Sequence, residues 1–333
     1  MQYRNTLFLI LIIILGFSCK ESNRPEEQGA LVENDSSSSL IIKNIEGSYV
    51  SEGYDTRDQG YDWVAVTITE INPELAYIRV QSRSDKKKPT CTFEGKGILQ
   101  DNSILEVDFE GKKILLSFKD NSVSFSTKDE ADLDFLMYFC SGGGSLAGTY
   151  TKIHESLDDS QLSPSGYNQS LSLQGITFDI HASQQGSINI LIIQPSGLEI
   201  DNRLQVHEID GNVSNAEIED LNSDGSPEVL VYITSAGSGS YGSVIGYSVN
   251  NKKSMSQIYF PSITEDPEIS MGYMGHDEFA IIETTFAQRF PIYKEGDTNS
   301  NPTGGIRQIQ YKLVDGEASR VFKVDKVVEF PNQ

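Results

Sequence analysis

The sequence predicts an all-β protein built from antiparallel sheets. Apolar residues recur at every second position in short runs along most of the chain, polar residues fill the positions between, and helical periodicity is nearly absent. Alternation of this kind gives each sheet one buried and one wet face, which suits antiparallel pairing better than the doubly covered strands of a parallel sheet. The expected architecture is two antiparallel β-sandwich or small β-barrel domains that follow an export leader and a tether.

The leader comes first. Arg4 precedes an unbroken apolar run from Leu7 to Leu15, and Gly16-Phe17-Ser18-Cys19 follows. A bilayer span takes roughly 20 apolar residues, so this run is too short to cross with margin, and small residues ahead of a cysteine fit a cleavage site. Residues 1–18 are expected to be a lipoprotein signal peptide, with Cys19 becoming the lipidated N-terminus that fastens the protein to a membrane. An uncleaved anchor with an incidental cysteine is the alternative. Lys20, not Asp, follows Cys19; by similarity to lipoproteins at large this favours the outer membrane, facing the periplasm or the cell surface. Residues 19–40 hold almost no large apolar side chains and cannot offset their ordering entropy by burial, so they read as a flexible tether.

With Cys19 assigned to lipid, Cys91 and Cys140 remain as an even pair in an exported chain and are expected to form a disulfide. His154, His181, His207 and His276 show no ligand-like spacing, which argues against a zinc site.

A polar stretch at residues 155–166 separates two regions of ordinary domain size, so domains are expected at 41–154 and 167–333 with a linker between them. In the first, Val64, Val66 and Ile68 alternate with Ala65, Thr67 and Thr69, and Ile104 to Phe109 repeats the pattern. Ile114 to Phe118, then Asp120-Asn121-Ser122, then Val123 to Phe125 read as a hairpin with Asx chemistry in its turn. Trp63 is read as core, and Lys86-Lys87-Lys88 ahead of Pro89 as a solvated loop. In the second domain Ile176, Phe178 and Ile180 alternate with Thr177, Asp179 and His181. Ile188, Ile190 and Ile192 do likewise, as do Ile309, Tyr311 and Leu313, and all three runs are expected to be half-buried strands.

The formal net charge is −22 at pH 7. Such an excess disfavours nucleic acid and anionic headgroups. It serves solubility, and it would also speed encounter with a basic partner.

Two segments of the second domain could carry function. In Asp220-Leu221-Asn222-Ser223-Asp224-Gly225-Ser226-Pro227-Glu228, oxygen-bearing side chains recur at alternate positions. Calcium favours such an oxygen ring, and Asp220, Asn222, Asp224 and Glu228 are the candidate ligands. The competing reading is a β-turn held by Asx side chains, because the loop runs straight into the strand Val229 to Tyr232. Asp297-Thr298-Asn299-Ser300-Asn301 is a second, weaker candidate of the same kind. No other cofactor is implied. The carboxylates lack a partnering acid, base or nucleophile in recognisable context, so no enzyme is expected.

The second segment is Ser235 to Ser243, where Ser238, Gly239, Ser240, Tyr241 and Gly242 form a small-residue loop with one large amphipathic anchor. No Gly-Lys-Ser/Thr follows to make a phosphate cradle, and no Gly-x-Ser-x-Gly elbow can be read across it. A flexible hairpin loop is the plain reading of this segment alone.

Taken with Gly272 to Asp277, Arg289 to Tyr293, Pro302 to Gln308 and Tyr311, the loop resembles the periplasmic inhibitors of invertebrate-type lysozyme, over most of residues 170–325. The resemblance implies an all-β fold and a lysozyme as protein partner. It implies inhibition by a Ser-x-x-Tyr loop inserted into the sugar-binding cleft, which falls on Ser238 and Tyr241 here. Tyr273, His276 and Asp277 would be framework under the loop. Arg307 would either reach the partner's rim or its ionised carboxylate, or act as a strand-end arginine paired to a surface acid. The competing function is a calcium-stabilised β-module for adhesion or glycan binding. A propeller of that type needs its loop several times at a fixed period, whereas the motif occurs here once clearly and once in altered form.

Overall fold

Eight antiparallel strands close into a barrel, in the order β1 (Gly47–Val50), β2 (Val64–Asn72), β3 (Leu75–Ser82), β4 (Phe93–Asp101), β5 (Ile104–Phe109), β6 (Lys112–Lys119), β7 (Ser122–Thr127) and β8 (Thr149–Lys152), with β1 pairing to β8. The computed structural model describes residues 42–101, 103–162, 166–183 and 186–331. The expected signal peptide, the lipidation site Cys19 and the tether lie outside them.

The alternating run in β2 sends Val66 and Ile68 inward, where they meet Ile78, Leu105, Ile114, Leu116 and Phe125 in one core. The β6–β7 hairpin turns on Asp120 (φ 49°) and Asn121 (φ 60°). A left-handed backbone at both central positions lets a two-residue turn follow the strand twist, and short Asx side chains tolerate it. Cys91 and Cys140 form a disulfide that ties the approach to β4 to the end of the 3-10 segment Glu130–Met137. Trp63 is 1% exposed and meets Tyr54 edge-on at a centroid distance of 5.0 Å.

The polar stretch after the barrel is fastened to it. The Asp158 amide donates to the Tyr54 hydroxyl at 2.8 Å, the Ser84 amide to the Gln161 carbonyl at 2.8 Å, and the Trp63 indole N–H to Gln161 Oε1 at 2.8 Å. Its polarity therefore satisfies the barrel's own donors and acceptors.

Three four-stranded antiparallel meanders follow. The first holds β9 (Tyr167–Leu173), β10 (Ile176–Ala182), β11 (Ile188–Ser196) and β12 (Gln205–Asp210). The second holds β13 (Asn212–Glu219), β14 (Glu228–Thr234), β15 (Gly242–Asn250) and β16 (Ser254–Ile258), and the third β17 (Glu278–Ile282), β18 (Thr285–Pro291), β19 (Ile306–Asp315) and β20 (Arg320–Phe330).

The second sheet is the middle layer. Val229, Val231 and Ile233 of β14 pack with Phe178 and Ile180 from the first sheet, while Leu230 and Tyr232 pack with Phe286, Ile309, Tyr311 and Phe322 from the third. Truncating a fully buried aromatic such as Phe286 would cost about 3–5 kcal/mol. Strand β11 departs from the expected pattern. Asn189, Leu191 and Ile193 form its fully buried row, and Ile188 is exposed. Ile190 and Ile192 point to the opposite face, where they meet Tyr77 of the barrel. The row expected to face water, Asn189, Leu191 and Ile193, is the one turned to the sheet-sheet core, and the Ile190 and Ile192 row is buried by the barrel instead, so both rows of the strand are covered for separate reasons.

Candidate functional site

Strands β14 and β15 are neighbours in the middle sheet, and the chain between them is the Ser-Gly loop. Thr234 pairs with Gly242, so the loop stands on the end of a ladder buried on both faces. It closes on itself first. The Ser235 amide donates to the Tyr241 carbonyl at 2.9 Å, the Tyr241 amide to Ser235 Oγ at 3.0 Å, and the Ser240 amide to the Gly237 carbonyl at 2.9 Å.

Segments from the third sheet then hold it from below. The His276 amide donates to the Gly239 carbonyl at 2.9 Å. That approach needs glycine at Gly275, whose φ is +88° and where an added Cβ would lie 2.1 Å from the Gly239 oxygen. Asp277 Oδ2 accepts from the Gly242 amide at 2.7 Å and from the Tyr273 hydroxyl at 2.6 Å, while Oδ1 accepts from Gln288 Nε2 at 2.7 Å. Gln288 in turn accepts from the Tyr311 hydroxyl at 2.7 Å. Asn299 Nδ2 donates to the Ser238 carbonyl at 2.8 Å, and its Oδ1 lies 3.1 Å from His276 Nε2. The Tyr293 hydroxyl donates to the Asn299 carbonyl at 2.9 Å.

Burial raises the Asp277 carboxyl above the usual range, while the bonds from Tyr273, the Gly242 amide and Gln288 pull it back. Burial, with the neighbouring Asp277, also raises the Tyr273 phenol, which therefore stays a donor.

What the clamp leaves free is as informative as what it holds. Tyr241 is 49% exposed, with its ring edge-on to Tyr273 at 5.7 Å, and Tyr273 is backed by Phe290 at 4.8 Å. Ser238 is exposed. Among the described residues neither the Ser238 nor the Tyr241 hydroxyl makes a hydrogen bond, although both residues are bonded through their backbones.

Tyr273, His276 and Asp277 thus gather beneath Ser238 to Gly242. Arg307 does not join them at the surface. It is 7% exposed, donates from Nη1 to the carbonyls of Ile269 (2.5 Å) and Met271 (2.8 Å), and pairs through Nε with Glu329 at 3.0 Å. The reading of Arg307 as a secondary contact at a partner's rim is therefore corrected to the strand-end arginine paired to an acid.

Asp220, Asn222, Asp224 and Glu228 sit at the other end of β14, about 20 Å away for a seven-residue strand. Asp220 accepts from the amides of Asp224 (3.0 Å) and Gly225 (2.9 Å), Asn222 Oδ1 from the Asp224 amide (3.2 Å), and Asp224 Oδ1 from the Ser226 amide (2.9 Å). Glu228 accepts from the Leu221 amide at 2.8 Å and from Ser248 Oγ at 2.6 Å, and the Arg320 guanidinium reaches both Asp224 and Glu228. Among the described residues no group of three or more His, Cys, Asp or Glu is arranged to hold a metal ion.

Sequence reasoning did not single out Gln288, and it took Asn299 only as part of a possible cation loop. Their roles depend on contacts across the third sheet that no local pattern encodes.

A family model described as periplasmic lysozyme inhibitor of I-type lysozyme matches residues 181–266. The matched span includes Ser238 to Gly242 and stops short of Tyr273. It supports a periplasmic lysozyme inhibitor in general, and that family is one of inhibitors, not enzymes. No curated protein matches the chain.

Proposed function

We propose that the chain inhibits an invertebrate-type lysozyme by inserting the Ser238–Gly242 loop into the active-site cleft, without covalent bonding. One observation carries this reading: the loop backbone is tied down from two separate segments, His276–Asp277 and Asn299, while among the described residues the Ser238 and Tyr241 hydroxyls are left unengaged. A loop ordered before binding loses little entropy on docking. Lysozymes cut with two carboxyl groups facing the glycosidic bond, one protonated and one ionised. The Ser238 hydroxyl would donate to one and the Tyr241 hydroxyl to the other, with the Tyr241 ring filling a sugar subsite. The net charge of −22 would steer the protein toward a basic lysozyme. A lipid on Cys19 would hold the inhibitor at the outer membrane, with residues 19–40 as tether.

The test is lysis of cell walls by invertebrate-type, chicken-type and goose-type lysozymes in the presence of the protein or its Ser238→Ala/Tyr241→Ala variant. Inhibition of the invertebrate type that disappears in the folded double variant supports the proposal. Absence of inhibition of every class at micromolar protein rejects it.

A further inference from the structure

The outer wall of β2 and β3 faces the outward side of the first C-terminal sheet, and the two surfaces touch. There Tyr77, Ile192 and Leu204 are buried together, and Glu94 bridges the two sides, accepting from His181 Nε2 at 3.0 Å and pairing with Arg79 Nε at 3.4 Å. Beyond that contact the walls separate into a cleft of about 500 Å³, within the usual range of small-ligand pockets, which favour such junctions.

Both walls carry polar groups with nothing to bind. Among the described residues, the side chains of Thr69 and Gln81 on the barrel side, and of Ser170 and Asp179 on the sheet side, make no hydrogen bond, although all four line the cleft. The floor is also incompletely satisfied. The Tyr77 hydroxyl, which lines the cleft, is buried and has no hydrogen-bond partner among the described residues, and Arg79 Nε has only its ion pair with Glu94. Buried polar groups are paired in the great majority of cases, so the Tyr77 hydroxyl marks binding capacity that the fold itself does not use.

The mixture of groups selects the ligand. Hydroxyl, amide and carboxylate side chains on facing walls suit a molecule whose groups both donate and accept, and the apolar floor suits one with C–H faces. Asp179 and Glu94 against Arg79 disfavour an anion. We propose that the cleft is a saccharide site for a short uncharged oligosaccharide, with Asp179, Gln81 and Ser170 as hydroxyl partners. It is independent of the inhibitory loop.

The experiment is a calorimetric titration of the full chain with chitotriose and with maltotriose, repeated for Asp179→Ala, which alters an exposed side chain, and for Thr69→Trp, which fills the cleft. The expected result is saturable binding of at least one sugar, weakened about tenfold by Asp179→Ala, the loss of one charge-assisted bond, and abolished by Thr69→Trp. Lysozyme inhibition and the melting temperature would be unchanged. No saturable binding of either sugar, or binding of equal strength in both variants, overturns the proposal.

Discussion

Asn299 donates its Nδ2 hydrogen to the carbonyl of Ser238 at 2.8 Å, across 61 positions of sequence. The same amide meets His276 through Oδ1, and the His276 backbone supports Gly239. One side chain thereby couples the two segments that hold the loop. It fixes the backbone of Ser238 while leaving the hydroxyl free.

Replacing Asn299 with Ala is expected to weaken lysozyme inhibition by about three- to tenfold, the net worth of roughly one hydrogen bond. Amide exchange at Ser240 and Tyr241 should quicken without a change in overall melting. Asn299→Asp, which keeps the size but loses the donor, should behave alike. Unchanged exchange in both variants would show that the clamp does not order the loop.

Glu228 is fully buried, and burial pushes its carboxyl up to about 7, against the opposing pull of Ser248, the Leu221 amide and Arg320. A carboxyl raised above its ordinary value of 4.5 favours the folded state at low pH. Its contribution is fully present below pH 4.5 and is lost as pH rises through 7. Relative to Glu228→Gln, the wild type should lose on the order of 3 kcal/mol across that window. Urea unfolding of both proteins at a series of pH values measures the difference, and parallel curves would contradict it.

Arg320 lies between Asp224 and Glu228 where a cation would otherwise be required. Arg320→Ala should destabilise the protein by about 3–5 kcal/mol above pH 7, where it leaves the buried Glu228 carboxylate without compensation, and by less at pH 5, where Glu228 carries its proton. Calcium should leave the wild-type melting temperature unchanged, since the guanidinium already engages those oxygens. A calcium-dependent rise, reversed by chelator, would show that the loop opens to admit the ion.

The Cys91–Cys140 bridge spans 49 residues, and reduction is expected to cost the barrel about 4 kcal/mol. Inhibition should survive under conditions where the reduced barrel stays folded, because every residue that clamps the loop lies beyond residue 234, outside the barrel. Loss of inhibition in step with reduction would assign the barrel a direct part in binding.

Fold class was legible because alternation is local: Val66 and Ile68 face inward for the same reason they alternate with threonines. The loop was legible because glycine, serine and tyrosine restrict what such a segment can do. The inward row of strand β11 is not legible, because its Ile190 and Ile192 row is buried by a barrel strand more than a hundred positions earlier, and periodicity carries no record of a neighbouring surface. The role of Arg307 is not legible for a similar reason. Its partners, Glu329 and the Met271 carbonyl, come from a paired strand and a distant turn. The Asp220 loop divides the same way: its Asx turn is local and readable, whereas Arg320 arrives 96 positions later.

Strand β14 is hydrogen-bonded along both edges and contributes alternate side chains to two cores. No route exists for it to melt while either neighbouring layer stands, so the stem of the loop ranks among the last parts of the molecule to open. The lifetime of the working surface is then set by global unfolding and not by local fraying. A protease could clip the loop itself, but it would wait on the whole fold to reach what supports it.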